Sequence, residues 1–119
     1  MVKFDYGECV MLVRDTLVEA GSSFREDKRV AYRKAIAAET NQTAKWILQT
    51  ILEDAEVAGK NRTPLCDDTG IPHIVLEIGQ DMYVTGYMLD AVKEGIKEGL
   101  RMLPGRPMGI MGNDCQRID

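Results

Sequence analysis

The chain has 119 residues, of which 45% are hydrophobic and 29% charged, with a net charge of −4 and a sequence pI near 5.0. Length and composition fit a single globular domain with a core of modest stability, and they exclude a disordered chain. The acidic balance, with Lys and Arg interspersed among Asp and Glu, excludes a nucleic-acid surface; the lack of a long apolar run or a leader-like N-terminus excludes a membrane span and points to the cytoplasm.

The first predicted element is a helix from about Tyr6 to Ala20, where Val10, Val13, Leu17 and Ala20 recur at helical spacing and Gly21-Ser22-Ser23 follows as a stop. Cys9 falls on or beside its apolar face and reads as a packing residue. A second helix is expected from Glu26 to about Thr40, with Val30, Tyr32, Ala35 and Ile36 as its buried set and its many charges as a solvated face. Asn41 is the expected N-cap of a third helix, Gln42 to Ala58, ended by Gly59. Its broad stripe of Ile47, Leu48, Ile51, Leu52, Ala55 and Ala58 marks it as the centre of a bundle, with the lone Trp46 packed beside the stripe.

The next stretch is Thr63-Pro64-Leu65-Cys66-Asp67-Asp68-Thr69-Gly70-Ile71-Pro72. Two prolines bracket a thiol, two carboxylates, a hydroxyl and a glycine, so the segment cannot continue as helix and presents its side chains on a turn. Cys66 offers a soft thiolate ligand, while Asp67 and Asp68 can accept a proton or orient a neighbour. The plain structural alternative is a helix-to-strand connection in which Cys66 packs as a small apolar residue. Beyond it, Ile74, Val75, Leu76 and Ile78 predict a mostly buried strand ending at Gly79, and Met82-Tyr83-Val84 a shorter second one. Thr85 is the expected N-cap of a fourth helix to about Met102, with Leu89, Val92, Ile96 and Leu100 on one face. Gly95 and Gly99, one turn apart, either let another segment approach closely or are merely tolerated at a cost in helix propensity. From Pro104 onward the sequence is irregular and ends without a helix stop or a polar tail, which reads as an interrupted chain. The fold class expected is mainly α with a small β element: a bundle of about four helices plus a short strand or hairpin, all within one domain over residues 1–119.

The run P-L-C-D-D-T-G-I-P, followed by the strand-like residues 73–79, resembles the P-L-C-Q-D-T-G-x-P segment of the iron-sulfur hydro-lyases, which comprise the class I fumarate hydratases and the α subunit of tartrate dehydratase. The resemblance extends over the whole chain, whereas the family's catalytic domain or α subunit is more than twice as long, so the chain looks like its N-terminal part. The resemblance implies hydro-lyase chemistry on a small dicarboxylate, fumarate/malate or tartrate, with a [4Fe-4S] cluster. It implies Cys66 as one of three cluster ligands, the other two coming from outside this chain, and Asp68 as a proton relay to or from the hydroxyl group. The resemblance places Asp67 and Asp68 at the substrate, but Asp67 stands where the family has glutamine, and an ionised carboxylate there would repel a substrate carboxylate unless a cation intervened. Arg106, 40 residues after Cys66, matches the place of a family arginine that grips a substrate carboxylate, although its G-R-P setting differs from L-R-x-S and leaves Arg101 and Arg117 as rivals. His73, the single histidine, has no counterpart in the motif.

Three cysteines, Cys9, Cys66 and Cys115, are widely spaced and suggest neither a disulfide framework nor a zinc site. Although three thiolates would leave one iron of a cluster open, nothing in the sequence brings these three together. The expected partners are therefore the remaining hydro-lyase domain or a β subunit, with copies of the chain forming an oligomer and this chain inactive alone. Two other readings compete. The triplet Asp68-Thr69-Gly70 occurs in aspartic proteases, but those enzymes are built of strands, and helical patterns dominate here. The stronger rival is a non-catalytic helical binding or regulatory domain with a buried Cys66.

Overall fold

The computed structural model describes residues 3–66, 71–105, 109–110 and 117–118. Four helices carry the fold: α1 (Tyr6–Ser22), α2 (Glu26–Ala38), α3 (Gln42–Asn61) and α4 (Gly86–Met102). Three of them start on the side-chain oxygen of a cap: Asp5 accepts from the Glu8 amide at 2.9 Å, Asn41 from Ala44 at 3.0 Å, and Thr85 from Met88 at 3.3 Å. Each such bond satisfies one of the amides that a helix start leaves without a partner. The architecture is thus mainly α, with four helices as expected. The β element is an antiparallel pair, β1 (Gly109–Ile110) with β2 (Arg117–Ile118), in which Gly109 faces Ile118 and Ile110 faces Arg117.

The core lies between α1 and α4. In α4 the buried positions are Ala91, Gly95 and Gly99, with Leu103 just beyond the helix; these recur every fourth residue along one ridge. The expected set of Leu89, Val92, Ile96 and Leu100 flanks this ridge, with Leu89 exposed and the others half-buried. Small residues prevail at the contact because they let α1 approach α4 at backbone distance, which a leucine would prevent. On α1, Val10 is buried as expected, and Val18, one residue off the expected stripe, is the more completely buried. Val13 and Leu17 are half-buried, and Ala20 is exposed.

Other expectations need correction. α3 is not the centre: it packs on α2 and, near its end, on α1, burying Ala55 and Ala58 while Trp46 remains 64% exposed, with Ile47, Ile51 and Val57 also exposed. Trp46 therefore does not pack into a core. α2 buries no residue; Val30 and Ala35 are exposed, and Tyr32 is half-buried where it stacks on Phe24 with centroids 5.4 Å apart. Among the described residues one neighbouring helix, α3, lies against α2, and a single partner cannot enclose a whole helical face. The segments expected as strands over residues 74–78 and 82–84 form no regular element; residues 71–83 are all exposed and only Val84 is half-buried. Among the described residues no strand lies beside them to complete a backbone ladder, and without one an extended run is not a strand. Apolar side chains remain uncovered on α3 and along residues 71–83.

Candidate functional site

The end of α3 sets the direction of the motif. Gly59 does not stop the helix; it sits inside it, packed near the Ser22 carbonyl, and α3 continues to Asn61. Arg62 then takes left-handed backbone angles, φ 54° and ψ 45°, and the Thr63 amide reaches back to the Ala58 carbonyl at 3.1 Å. This is the Schellman type of helix end, here with arginine where glycine is usual. Pro64 and Leu65 are half-buried, and the Leu65 amide donates to the Gly21 carbonyl at 2.9 Å. The motif is therefore pinned, one residue before its cysteine, to the C-terminal end of α1. That end is itself firm: Ser22 is buried and its hydroxyl donates to the Val18 carbonyl at 2.6 Å.

Cys66 emerges from this anchor as a free and exposed thiol. Its exposure corrects the rival reading that required a buried Cys66, and it leaves the sulfur accessible to a metal centre. Asp67, Asp68, Thr69 and Gly70 lie outside the described residues, as do Arg106 and Cys115. Of the rivals to Arg106, Arg101 is exposed in the last turn of α4, and Arg117 belongs to β2. Cys9, the other free thiol among the described residues, is half-buried on α1. Among the described residues no three His, Cys, Asp or Glu side chains gather into a metal-binding group. In donor chemistry Cys66 fits one corner of an iron-sulfur cluster, a soft thiolate on a held backbone, and the described residues offer it no companion ligand.

After the motif the chain passes over an apolar cleft of about 580 Å³ lying between residues 71–76 and the α1–α4 pair. His73 lies at this cleft and is exposed. Two charged features frame α1 and α4. Arg14 donates from Nε to Asp15 at 2.8 Å, which holds the Asp15 carboxyl below its ordinary range, and the same guanidinium lies 3.9 Å from Glu98 on α4. Loss of water contact, and then the carboxylates Glu94 and Asp90, raise the Tyr6 phenol above its usual value. The Gly21 carbonyl is not legible in the sequence as an anchor, because a backbone acceptor leaves no mark on residue type.

The family of proteins described as Fumarate hydratase (Fumerase) matches this chain over residues 10–118. The chain belongs to the fumarate hydratase family. It is also 32% identical over 103 residues to a protein of Methanocaldococcus jannaschii provisionally named L(+)-tartrate dehydratase subunit alpha. That match covers 82% of this chain but 36% of the relative, so the chain spans about a third of the length of the relative it matches. Membership in the fumarate hydratase family agrees with the resemblance carried by the motif around Cys66. Among the described residues no helix is long and apolar enough to cross a membrane.

Proposed function

We propose that this chain is the N-terminal part of a [4Fe-4S]-dependent hydro-lyase that adds or removes water on a dicarboxylic hydroxy acid of the fumarate/malate or tartrate type, in the cytoplasm. The observation that carries the proposal is the exposed Cys66, held by the Leu65–Gly21 bond within a chain of the fumarate hydratase family. Cys66 would be one thiolate ligand of the cluster, with the remaining ligands from outside this chain. When bound, a cluster with one iron free of protein thiolate supplies a Lewis acid toward the leaving hydroxyl. Asp68 relays a proton to or from that hydroxyl. Arg106 grips a substrate carboxylate through paired N–H donors. Asp67, ionised, disfavours a carboxylate beside it and so tunes which hydroxy acid is accepted.

The partner in this reading is the remaining hydro-lyase polypeptide, as a domain or as a β subunit, and the assembly contains more than one copy of this chain. The uncovered apolar surface supports association, since such surfaces are costly to leave in water. The test is anaerobic reconstitution with iron and sulfide, with and without the remaining polypeptide, followed by iron and sulfide analysis and turnover of malate and tartrate. Cluster and turnover are expected in the assembly and no turnover in the chain alone. An assembly that holds no iron would overturn the hydro-lyase reading, and a chain that alone holds a cluster on three thiolates and turns over would overturn the division of ligands.

A further inference from the structure

The segment following Cys66 has the properties of a strand without a neighbour. Ile74, Leu76 and Ile78 are 44%, 49% and 54% exposed, whereas Val75 between them is 90% exposed. Residues 71–76 line the cleft over α1 and α4, and the higher exposure of Val75 than of Ile74 and Leu76 on either side follows the two-residue period of a β-strand. Its residues are largely β-branched, and among the described residues no backbone N–H or C=O from Ile71 to Ile78 is bonded to another backbone group. An unpaired extended edge of this kind is a template for a strand from another polypeptide.

We infer that Ile74–Ile78 is a docking strand that pairs, by main-chain hydrogen bonds, with a strand of the remaining hydro-lyase α polypeptide, whose apolar side chains fill the cleft between this segment and the α1–α4 pair. The inference rests on the hydro-lyase reading and adds to it the place where the two parts join. Two observations select this occupant. The M. jannaschii relative has nearly two thirds of its length beyond the region matched here, enough polypeptide to supply the missing strand. The segment also begins eight residues after Cys66, so whatever pairs with it joins close in sequence to the thiol that has no companion ligand among the described residues.

Amide hydrogen exchange at Ile74 to Ile78 tests the inference, in the chain alone and in the chain co-expressed with the remaining hydro-lyase α polypeptide. The chain alone should exchange these amides freely at all concentrations, and the complex should slow them at least tenfold. Val75→Pro, at the most exposed position of the segment, should leave the melting temperature of the chain alone unchanged and weaken the complex at least tenfold in sedimentation, because proline cannot donate to a ladder. Protection in the dilute chain alone would mean that the segment closes on its own cleft, and protection that grows with its concentration would mean a second copy; either overturns the inference, as does a complex that leaves the amides unprotected. Cys66→Ser separates this outcome from the function. A complex that forms normally without iron leaves the docking strand standing while the cluster is lost, and a complex that holds iron with these amides unprotected keeps the hydro-lyase reading and sinks the docking strand.

Discussion

Gly95 of α4 lies so close beneath α1 that a β-carbon placed on it would stand 2.7 Å from the Val10 carbonyl oxygen and 2.7 Å from the Val13 β-carbon. Gly99, one turn on, repeats the relationship, with the Arg14 carbonyl at 3.1 Å and Leu17 Cδ2 at 2.9 Å. The two glycines are therefore the floor on which α1 rests, and α1 in turn holds the Gly21 carbonyl that anchors the motif. Gly95→Ala should destabilise the chain by about 1–3 kcal/mol, the usual cost of overpacking, in spite of a gain of up to about 1 kcal/mol in helix propensity. Gly99→Ala should cost less, since its nearest clash is the movable tip of a leucine side chain. Urea denaturation of the two variants checks the order, and a stabilised Gly95→Ala would show that α1 and α4 are not in backbone contact.

Arg62 carries a positive φ that arginine adopts at a cost and glycine does not. Its side chain reaches Glu19 at 3.9 Å, but both groups are more than half exposed, and such pairs contribute little. Arg62→Gly should therefore stabilise the protein by about 0.5–1 kcal/mol. Thermal unfolding of this variant should show a higher midpoint; a lower one would mean that the Glu19 pair matters more than the backbone.

The cysteines should separate cleanly in the assembled enzyme. Cys66→Ser should abolish the cluster and turnover, because a hydroxyl is a poor replacement for the soft thiolate that iron prefers. Cys9→Ser should lower stability by about 1 kcal/mol while the iron content stays normal, since it replaces a half-buried packing group with a polar one. Cys115→Ser should leave the cluster intact. Absorbance and iron content under strict anaerobiosis distinguish the three, and a normal cluster in Cys66→Ser would remove the motif assignment.

Asp15 gives the chain a signature in acid. Its bond from Arg14 favours the ionised carboxylate in the folded protein and lowers its pKa from the ordinary value of 3.8. The contribution is thus fully present above that ordinary value and is lost as pH falls through the lower, folded one. The stability difference between the wild type and Asp15→Asn should be constant near neutral pH and should shrink below about pH 4, within the usual range of carboxylate titration. Denaturation midpoints measured from pH 7 down to 2.5 check this; a difference that grows in acid would contradict the sign.

Local residue patterns were enough to locate the helices, two of their caps and the motif. Asn41 and Thr85 announce helix starts because a short oxygen-bearing side chain satisfies the amides two or three residues on, and Cys66 between two prolines announces a break with chemistry in it. These are short-range effects, decided within a few residues of one another. The sequence also carried the family resemblance, because a motif around a ligand is written in contiguous residues. What it could not decide was which apolar face meets which. The Ile47 to Ala58 stripe has the period of a central helix, yet the core forms on the small-residue ridge Ala91, Gly95 and Gly99, because there two backbones come close enough to exclude water from both. For the same reason the run from Ile74 to Ile78 reads as a buried strand and stands exposed. A strand is completed by a neighbour's hydrogen bonds, and only the tertiary arrangement decides whether a neighbour is there.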